Sequence, residues 1–401
     1  MVQVFNFFLF IFPLAYIVGP FLLDLSVSLL SLLSLFLVYK NFNRINNIFF
    51  YLVLVWLIYL ISISLFSIDP YLSLHSSLFY FRFFLFAIFL YFVLEKYNFE
   101  KYNYIFYFQF FIILFLLIDS LYQFYFNFNL LGYEYNGERI SSFFKDEFIL
   151  GNFISKLLPF VIFIYLINNR TYDYKIISLL NIYILISFII IFISGDRLAL
   201  LNFLIVFSCY IIYVLRSPLK FFISLILLNF VFLLFVLISE NLYKRYILTT
   251  LEQLSFNLFY LPLPISIEQL YTTAINIFID YPIFGIGPKL FRIYCEYDIY
   301  KYQDGCSTHP HNTIIQLLVE VGIVGIIPFI IFLLYIYWKF IKNYVLSIFN
   351  IENFKLDNFL CIGIILNILP IIPSGNFFNN RYAFFIFFYL GFYLYYKNKK
   401  L

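Results

Sequence analysis

The chain is 401 residues long, 64% hydrophobic and only 11% charged, with a mean hydropathy of +0.95 and a formal net charge of +4. Apolar runs recur along its whole length, more than a soluble core can absorb and as many as a multi-helix membrane protein needs to cross lipid. A lipid-facing β-barrel would alternate apolar and polar residues strictly, and these runs do not. The excess of Phe and Tyr follows from AT-rich codon usage as readily as from any function. Four cysteines are too few for a disulfide framework.

In chain order the apolar runs predict about twelve spans, near 4–18, 20–39, 48–66, 74–94, 104–121, 152–168, 175–193, 198–215, 221–239, 315–337, 357–373 and 382–396. The first run lacks the small-residue cleavage site of a signal peptide and reads as a span. With the N-terminus inside, the inside connections carry Lys40 and Arg44, Lys96 and Lys101, Arg170 and Lys175, Arg216 and Lys220, then Lys339, Lys342 and Lys355, and the tail carries Lys397, Lys399 and Lys400. Every inside connection thus has at least two basic residues, while the outside turns near Asp69, Ser194–Arg197 and Pro373–Arg381 have none or one. That is a positive-inside pattern with an even number of spans and both termini cytoplasmic.

The expected fold is therefore an all-α, polytopic bundle forming one integral membrane domain over 1–401. Two outside segments are long, about 122–151 and 240–313. Within the second, Ser266–Ile279 has the apolar spacing of an amphipathic surface helix, Asp280-Tyr281-Pro282 ends it, and GIGP at 285–288 forms a turn.

Chemistry-bearing residues concentrate on the outer side. SGDR at 194–197 is a tight turn between apolar spans, and HPHN at 309–312 holds two of the three histidines. PSGNFFNNR at 373–381 is a third polar group. Helical spacing sets Asn312, Gln316 and Glu320 on one stripe, and Gly322 and Gly325 would admit a close neighbour. Arg197 fits two readings, anchorage to lipid headgroups or anion binding. Asp196 reads as a turn residue or a salt partner for arginine. His311 suits proton abstraction from a hydroxyl, since its ordinary pKa lies near neutrality, and His309 reads as an auxiliary group. Arg82, inside the fourth predicted span, requires an acid in the bundle or a lipid phosphate. Cys295 and Cys306 share the long outer loop and could close a short loop beside the histidines if that side is oxidising. Their spacing to the histidines is not that of a zinc site, so no metal and no cofactor is expected.

These pieces together resemble the O-antigen ligase and O-antigen polymerase family of bacterial envelope enzymes. The matching strings, in order, are GERISSFFKDEFILGNFISKLLPF at 137–160, SGDRLAL at 194–200, DYPIFGIGPKLFRIYC at 280–295, CSTHPHNTIIQLLVEVGIVG at 306–325 and PSGNFFNNR at 373–381. The resemblance implies a membrane glycosyltransferase of C-type architecture in the bacterial inner membrane, its site open to the periplasm. Its donor would be a glycan on undecaprenyl diphosphate. Its acceptor would be a lipid A–core sugar for a ligase, or a second lipid-linked repeat unit for a polymerase, which a chain-length regulator can accompany. Arg197 matches the family's arginine after the seventh span, and His311 its motif histidine. Arg245 or Arg292 would be the second diphosphate ligand, and Arg139 would hold a phosphate or glycan at the entrance. The His–Glu–Gly string and the GDR turn favour the ligase branch. A transporter or lipid-carrier flippase is the alternative of another class, but it would place charged or broken-helix features near the midplane. A monophosphate-carrier transferase would place an acidic pair in the first outer loop, where only Asp24 stands. No feature suggests nucleic acid.

Overall fold

The computed structural model of the chain describes residues 1–45, 48–96, 103–169, 174–215, 223, 226, 229–230, 233, 236–237, 239–255, 263–349, 355–370 and 372–398. The principal helices are α1 Val2–Val18, α2 Pro20–Lys40, α3 Ile48–Leu65, α4 Pro70–Ser77, α5 Phe81–Glu95, α6 Asn103–Phe126, α7 Leu150–Asn168, α8 Tyr174–Ile193, α9 Arg197–Leu215, α10 Ile265–Asp280, α11 Thr313–Phe349, α12 Asp357–Ile365 and α13 Asn380–Asn398. Strand is confined, among the described residues, to one antiparallel pairing of Leu254–Ser255 with Leu263–Pro264 and an isolated bridge between Phe128 and Glu134.

The chain is a helical membrane protein. Six helical segments among the described residues are long and apolar enough to cross a bilayer: 20–40, 70–95, 104–126, 150–168, 197–214 and 313–347. Three shorter apolar helices accompany them. Large apolar side chains such as Phe21, Leu32, Val55, Ile331 and Trp338 stand exposed on the outer faces, an arrangement that water would penalise and lipid tails accept.

The predicted runs near 4–18, 20–39, 48–66, 104–121, 152–168, 175–193, 198–215 and 382–396 each coincide with one helix. Three differ. The run 74–94 lies within the helical segment 70–95, which tightens to i→i+3 hydrogen bonds around Leu78–Tyr80 where α4 passes into α5. The run 357–373 is helical only to Ile365, about 14 Å at 1.5 Å per residue, too short to cross a core of about 30 Å alone. The helix beginning at Thr313 continues to Phe349 but is broken inside. Most of the predicted span 221–239 lies outside the described residues, as do Lys101, Arg170, Arg216, Lys220, Lys399 and Lys400.

The central element is α7. It packs against α6, α8, α9 and α12, and its residues from Leu150 to Ile167 are buried with the exception of half-buried Asn152. On the other side α13 packs on α5 and α12, and α5 on α2, while a stack of aromatic rings that includes Phe8, Phe12, Phe86, Phe384 and Phe388 joins α1, α5 and α13. Edge-to-face and offset contacts of this kind add about 0.5–1.5 kcal/mol per pair beyond area burial. Arg82 is paired in this region: its guanidinium meets Asp24 at 2.8 Å and donates to Asn380 Oδ1 at 2.9 Å. Asp24 lies inside α2 and not in an outer loop, which is a correction to its sequence placement.

Candidate active site

Local chemistry places Arg197. α8 ends where Ser194 N–H donates to Ile190 O, and Gly195 takes φ +68°, a left-handed exit that favours glycine. A side chain there would run into the carbonyl of Glu138, so the segment 138–140 lies directly over the turn. Asp196 then caps α9, its Oδ1 accepting from Ala199 N–H at 3.1 Å. Arg197 is thereby the first residue of α9, and its guanidinium donates to Thr250 Oγ1 at 2.8 Å.

Two further arginines converge on this turn. Arg139 meets Asp196 at 3.4 Å and donates to Phe148 O at 2.6 Å. Arg245 donates from Nε to Gly195 O at 3.1 Å and pairs with Glu138 at 3.3 Å. Burial lowers the Arg139 pKa from the ordinary arginine value; Asp196 offsets part of that, and the neighbouring charge of Arg245 lowers it further. Three guanidinium groups thus face one turn with two carboxylates, Asp196 and Glu138, between them. Buried Nε of Arg139 has no hydrogen-bond partner among the described residues.

The histidine string is built with equal economy of turns. Asn312 caps α11, its Oδ1 accepting from Ile314 and Ile315 N–H at 3.0 and 3.1 Å, while its Nδ2 donates to Ile372 O. The residue before the cap, His311, is held at φ +54°, a conformation that non-glycine residues adopt rarely. The loop 372–377 fixes it: Ser374 N–H donates to His311 O at 2.6 Å, and Ser374 Oγ accepts from Thr313 N–H at 2.8 Å. His309 contacts Ser374 O through Nε2 at 3.3 Å and Thr308 Oγ1 through Nδ1 at 3.1 Å. His311 Nε2 has a longer contact, 3.4 Å to Ser307 Oγ. The two rings lie 4.2 Å apart. Burial pushes the His309 pKa down to about 3, with the His311 charge acting the same way and the Ser374 contact opposing it. Burial lowers His311 also, so both imidazoles are neutral near pH 7.

The expected stripe of Asn312, Gln316 and Glu320 exists and is wholly buried. Gln316 donates to Glu320 Oε2 and to Asn376 Oδ1, each at 2.9 Å, and accepts from Phe377 N–H. These side chains therefore tie α11 to the loop 372–377. Gly322 was expected to admit a neighbouring helix; what enters is a loop. At φ +64° and ψ −175° it breaks α11, and the segment 282–287 fills the gap. Ile286 and Gly287 N–H donate to Val319 and Glu320 O, while Ile323 and Val324 N–H donate to Pro282 and Ile283 O. Gly325 does serve close approach, with Trp56 Nε1 of α3 donating to its carbonyl at 2.7 Å.

Arg292 sits beside the histidines and away from the SGDR turn: it donates to Thr308 O at 3.4 Å, and its buried Nε has no partner among the described residues. Lys289 is close by at φ +63°, its pKa lowered by burial and by the Arg292 charge, with Glu320 opposing. Cys295 and Cys306 form a disulfide that closes the loop in front of Ser307. The amphipathic helix is present as α10, with Leu270, Tyr271, Ala274 and Ile277 buried. Between α10 and α11 lies an apolar cavity of about 250 Å³, lined by Tyr271, Ala274, Phe278, Ile315, Leu318 and Pro370, with Asn312 at its edge. Among the described residues no group of three or more His, Cys, Asp and Glu side chains is placed to share a metal ion.

Residues 182–330 match the family model described as O-antigen ligase. That segment, less than half of the chain, is similar to the O-antigen ligase family. It contains the SGDR turn, Arg245, Arg292, both histidines, Asn312 and Glu320, whereas Arg82, Arg139 and the loop 372–377 lie outside it. No curated protein matches the chain.

Sequence reasoning passed over several residues that the structure brings into this region. Tyr382 is one, lying just beyond the PSGNFFNNR group that holds Ser374 and Asn376, and it acts through a contact that no spacing announces. Glu147, which pairs with Arg381, is equally silent. Lys156 had a signal: like Arg82, it is a cation inside an apolar run.

Proposed function

We propose that the chain is an O-antigen ligase-type enzyme of the bacterial inner membrane, taking a glycan from undecaprenyl diphosphate and joining it to a lipid A–core hydroxyl. The observation that carries this reading is the convergence of Arg139, Arg197 and Arg245 on one turn. Three guanidinium groups with two carboxylates offer a forked set of donors and an excess of positive charge, which suits a diphosphate. Arg245 thus becomes the second diphosphate ligand, and Arg292 a neighbour of the histidines that serves the acceptor side.

The reaction needs no metal in this account. The acceptor oxygen attacks the anomeric carbon from the face opposite the leaving group, with inversion. The bond from that carbon to the diphosphate oxygen breaks, and undecaprenyl diphosphate leaves with the bonding electrons. The acceptor's proton passes to His311, whose neutral imidazole is the competent base. Fixed donors aimed at the leaving oxygen contribute most, since a single such donor commonly accounts for about 3–4 kcal/mol of barrier.

The site faces the periplasm in this reading, with both termini inside, twelve spans, and 240–313 as the large outer loop. The polymerase reading shares the donor site and changes the acceptor to a second lipid-linked repeat. Deleting the gene separates the two. Bare lipid A–core with long chains accumulating on the carrier means ligase, and a core capped by one repeat with no long chains means polymerase. Unchanged surface glycan and unchanged carrier-linked sugars would overturn both.

A further inference from the structure

Lys156 belongs to α7, the most enclosed of the six candidate spans among the described residues, and only 5% of its surface is exposed. Its ammonium lies 4.7 Å from the centroid of the Tyr382 ring. Among the described residues it donates no hydrogen bond and forms no ion pair. Asp196 acts on it through space, but both Asp196 oxygens are engaged elsewhere, Oδ1 with Ala199 N–H and Oδ2 with Arg139. With the Tyr382 ring as its one side-chain partner among the described residues, the ammonium keeps its three donors free to meet an anionic ligand.

The position of Lys156 indicates which ligand. On one side is the SGDR turn, where Gly151, five residues earlier on α7, packs against Ser194 and Asp196. On the other side is Tyr382, whose hydroxyl meets Thr313 Oγ1 at 2.7 Å. Thr313 Oγ1 in turn meets Ser374 Oγ, and Ser374 N–H holds the His311 carbonyl. Lys156 therefore stands between the arginine cluster and the histidine string.

We infer that Lys156 is a third ligand of the donor's diphosphate, contacting the phosphate bonded to the sugar, while the arginines hold the distal phosphate. The inference rests on the transferase reading above. In that reading the breaking bond must lie between the diphosphate and the acceptor, so the atom that gains charge is the one nearest Lys156. An ammonium in a water-poor site acts strongly on such charge. The ring of Tyr382 keeps the cation acceptable when the site is empty.

The full chain, purified and reconstituted in lipid nanodiscs, decides this. Binding of undecaprenyl diphosphate and of undecaprenyl monophosphate is measured, together with single-turnover transfer from the glycan-bearing donor. The variants are Lys156→Met, which fills the same volume without charge, and Lys156→Arg, which keeps the charge. The expected result is that Lys156→Met inserts and melts like the wild type, binds undecaprenyl diphosphate at least tenfold more weakly and transfers at least a hundredfold more slowly. Lys156→Arg keeps a measurable fraction of both. A purely structural lysine predicts the reverse order, with Met tolerated and the bulkier Arg disruptive. Transfer by Lys156→Met within threefold of wild type overturns the inference and leaves the transferase reading standing. If Met is not accommodated, Lys156→Gln is read by the same criteria. Wild-type protein that neither binds undecaprenyl diphosphate nor transfers from it overturns the reading and the inference together.

Discussion

Replacing Gly322 by alanine tests the joint between the loop 282–287 and the histidine-bearing helix. At φ +64° and ψ −175° the backbone is in a region open essentially to glycine, and a side chain there costs about 1–3 kcal/mol. The added Cβ would also stand 2.5 Å from the carbonyl carbon of Ile283 and 2.6 Å from Gly285 N, and these are backbone atoms with no rotamer to change. The loop must retreat, which threatens four backbone hydrogen bonds. Losing two of them at about 1 kcal/mol each brings the total to about 3–5 kcal/mol. Gly132→Ala is the matched control: Gly132 has φ +88° with open space around it, so only the conformational part applies. Melting of the purified protein and glycan transfer in nanodiscs are the two readouts. Gly322→Ala should melt clearly below Gly132→Ala and lose most transfer, because Glu320, Lys289 and the histidine string are held by the same joint. Wild-type melting and transfer in Gly322→Ala would refute the reasoning.

Three further outcomes are expected. Arg245→Ala should lower transfer about as much as Arg197→Ala and weaken donor binding, whereas Arg292→Ala should leave donor binding nearly intact; equal loss of donor affinity in all three would contradict the separation of the two cationic groups. The neutral, active form of His311 should persist as the pH falls through the ordinary imidazole value of about 6.5, so the acid limb of the single-turnover rate should lie below that value. The sign for stability is the same: the lowered folded-state values of both histidines leave full stability above 6.5, with loss as the pH falls below it. An acid limb at or above 6.5 would show that burial does not control the base. Opening the loop with Cys306→Ser should remove about 2–3 kcal/mol by the loop-closure account and lower both melting temperature and transfer, and an unchanged melting temperature would contradict it.

Much of this architecture was legible because membrane helices announce themselves by composition. Eight predicted runs coincide with single helices, and the amphipathic pattern at 266–279 is α10. The SGDR turn was legible for a local reason: its chemistry is complete within four residues. What sequence could not show was non-local. Gly322 stands in a run of valine, isoleucine and glycine that reads as small-residue packing, and its break becomes visible only with the loop from 282–287 in place. The run 357–373 is apolar enough to span, yet its helix stops at Ile365, and apolarity alone does not reveal that end. Which turn Arg245 and Arg292 each reach is likewise non-local. Lys156 shows a different failure, because its neighbours Asp196 and Tyr382 are far away in sequence.

Reconstituted transfer with wild type and His311→Ala tests the central claim most directly. The account predicts that wild-type protein moves a labelled glycan from undecaprenyl diphosphate to lipid A–core with release of the carrier diphosphate, and that His311→Ala inserts normally but does neither. Full transfer by His311→Ala, or no transfer by wild type to lipid A–core or to a second lipid-linked repeat, would contradict it.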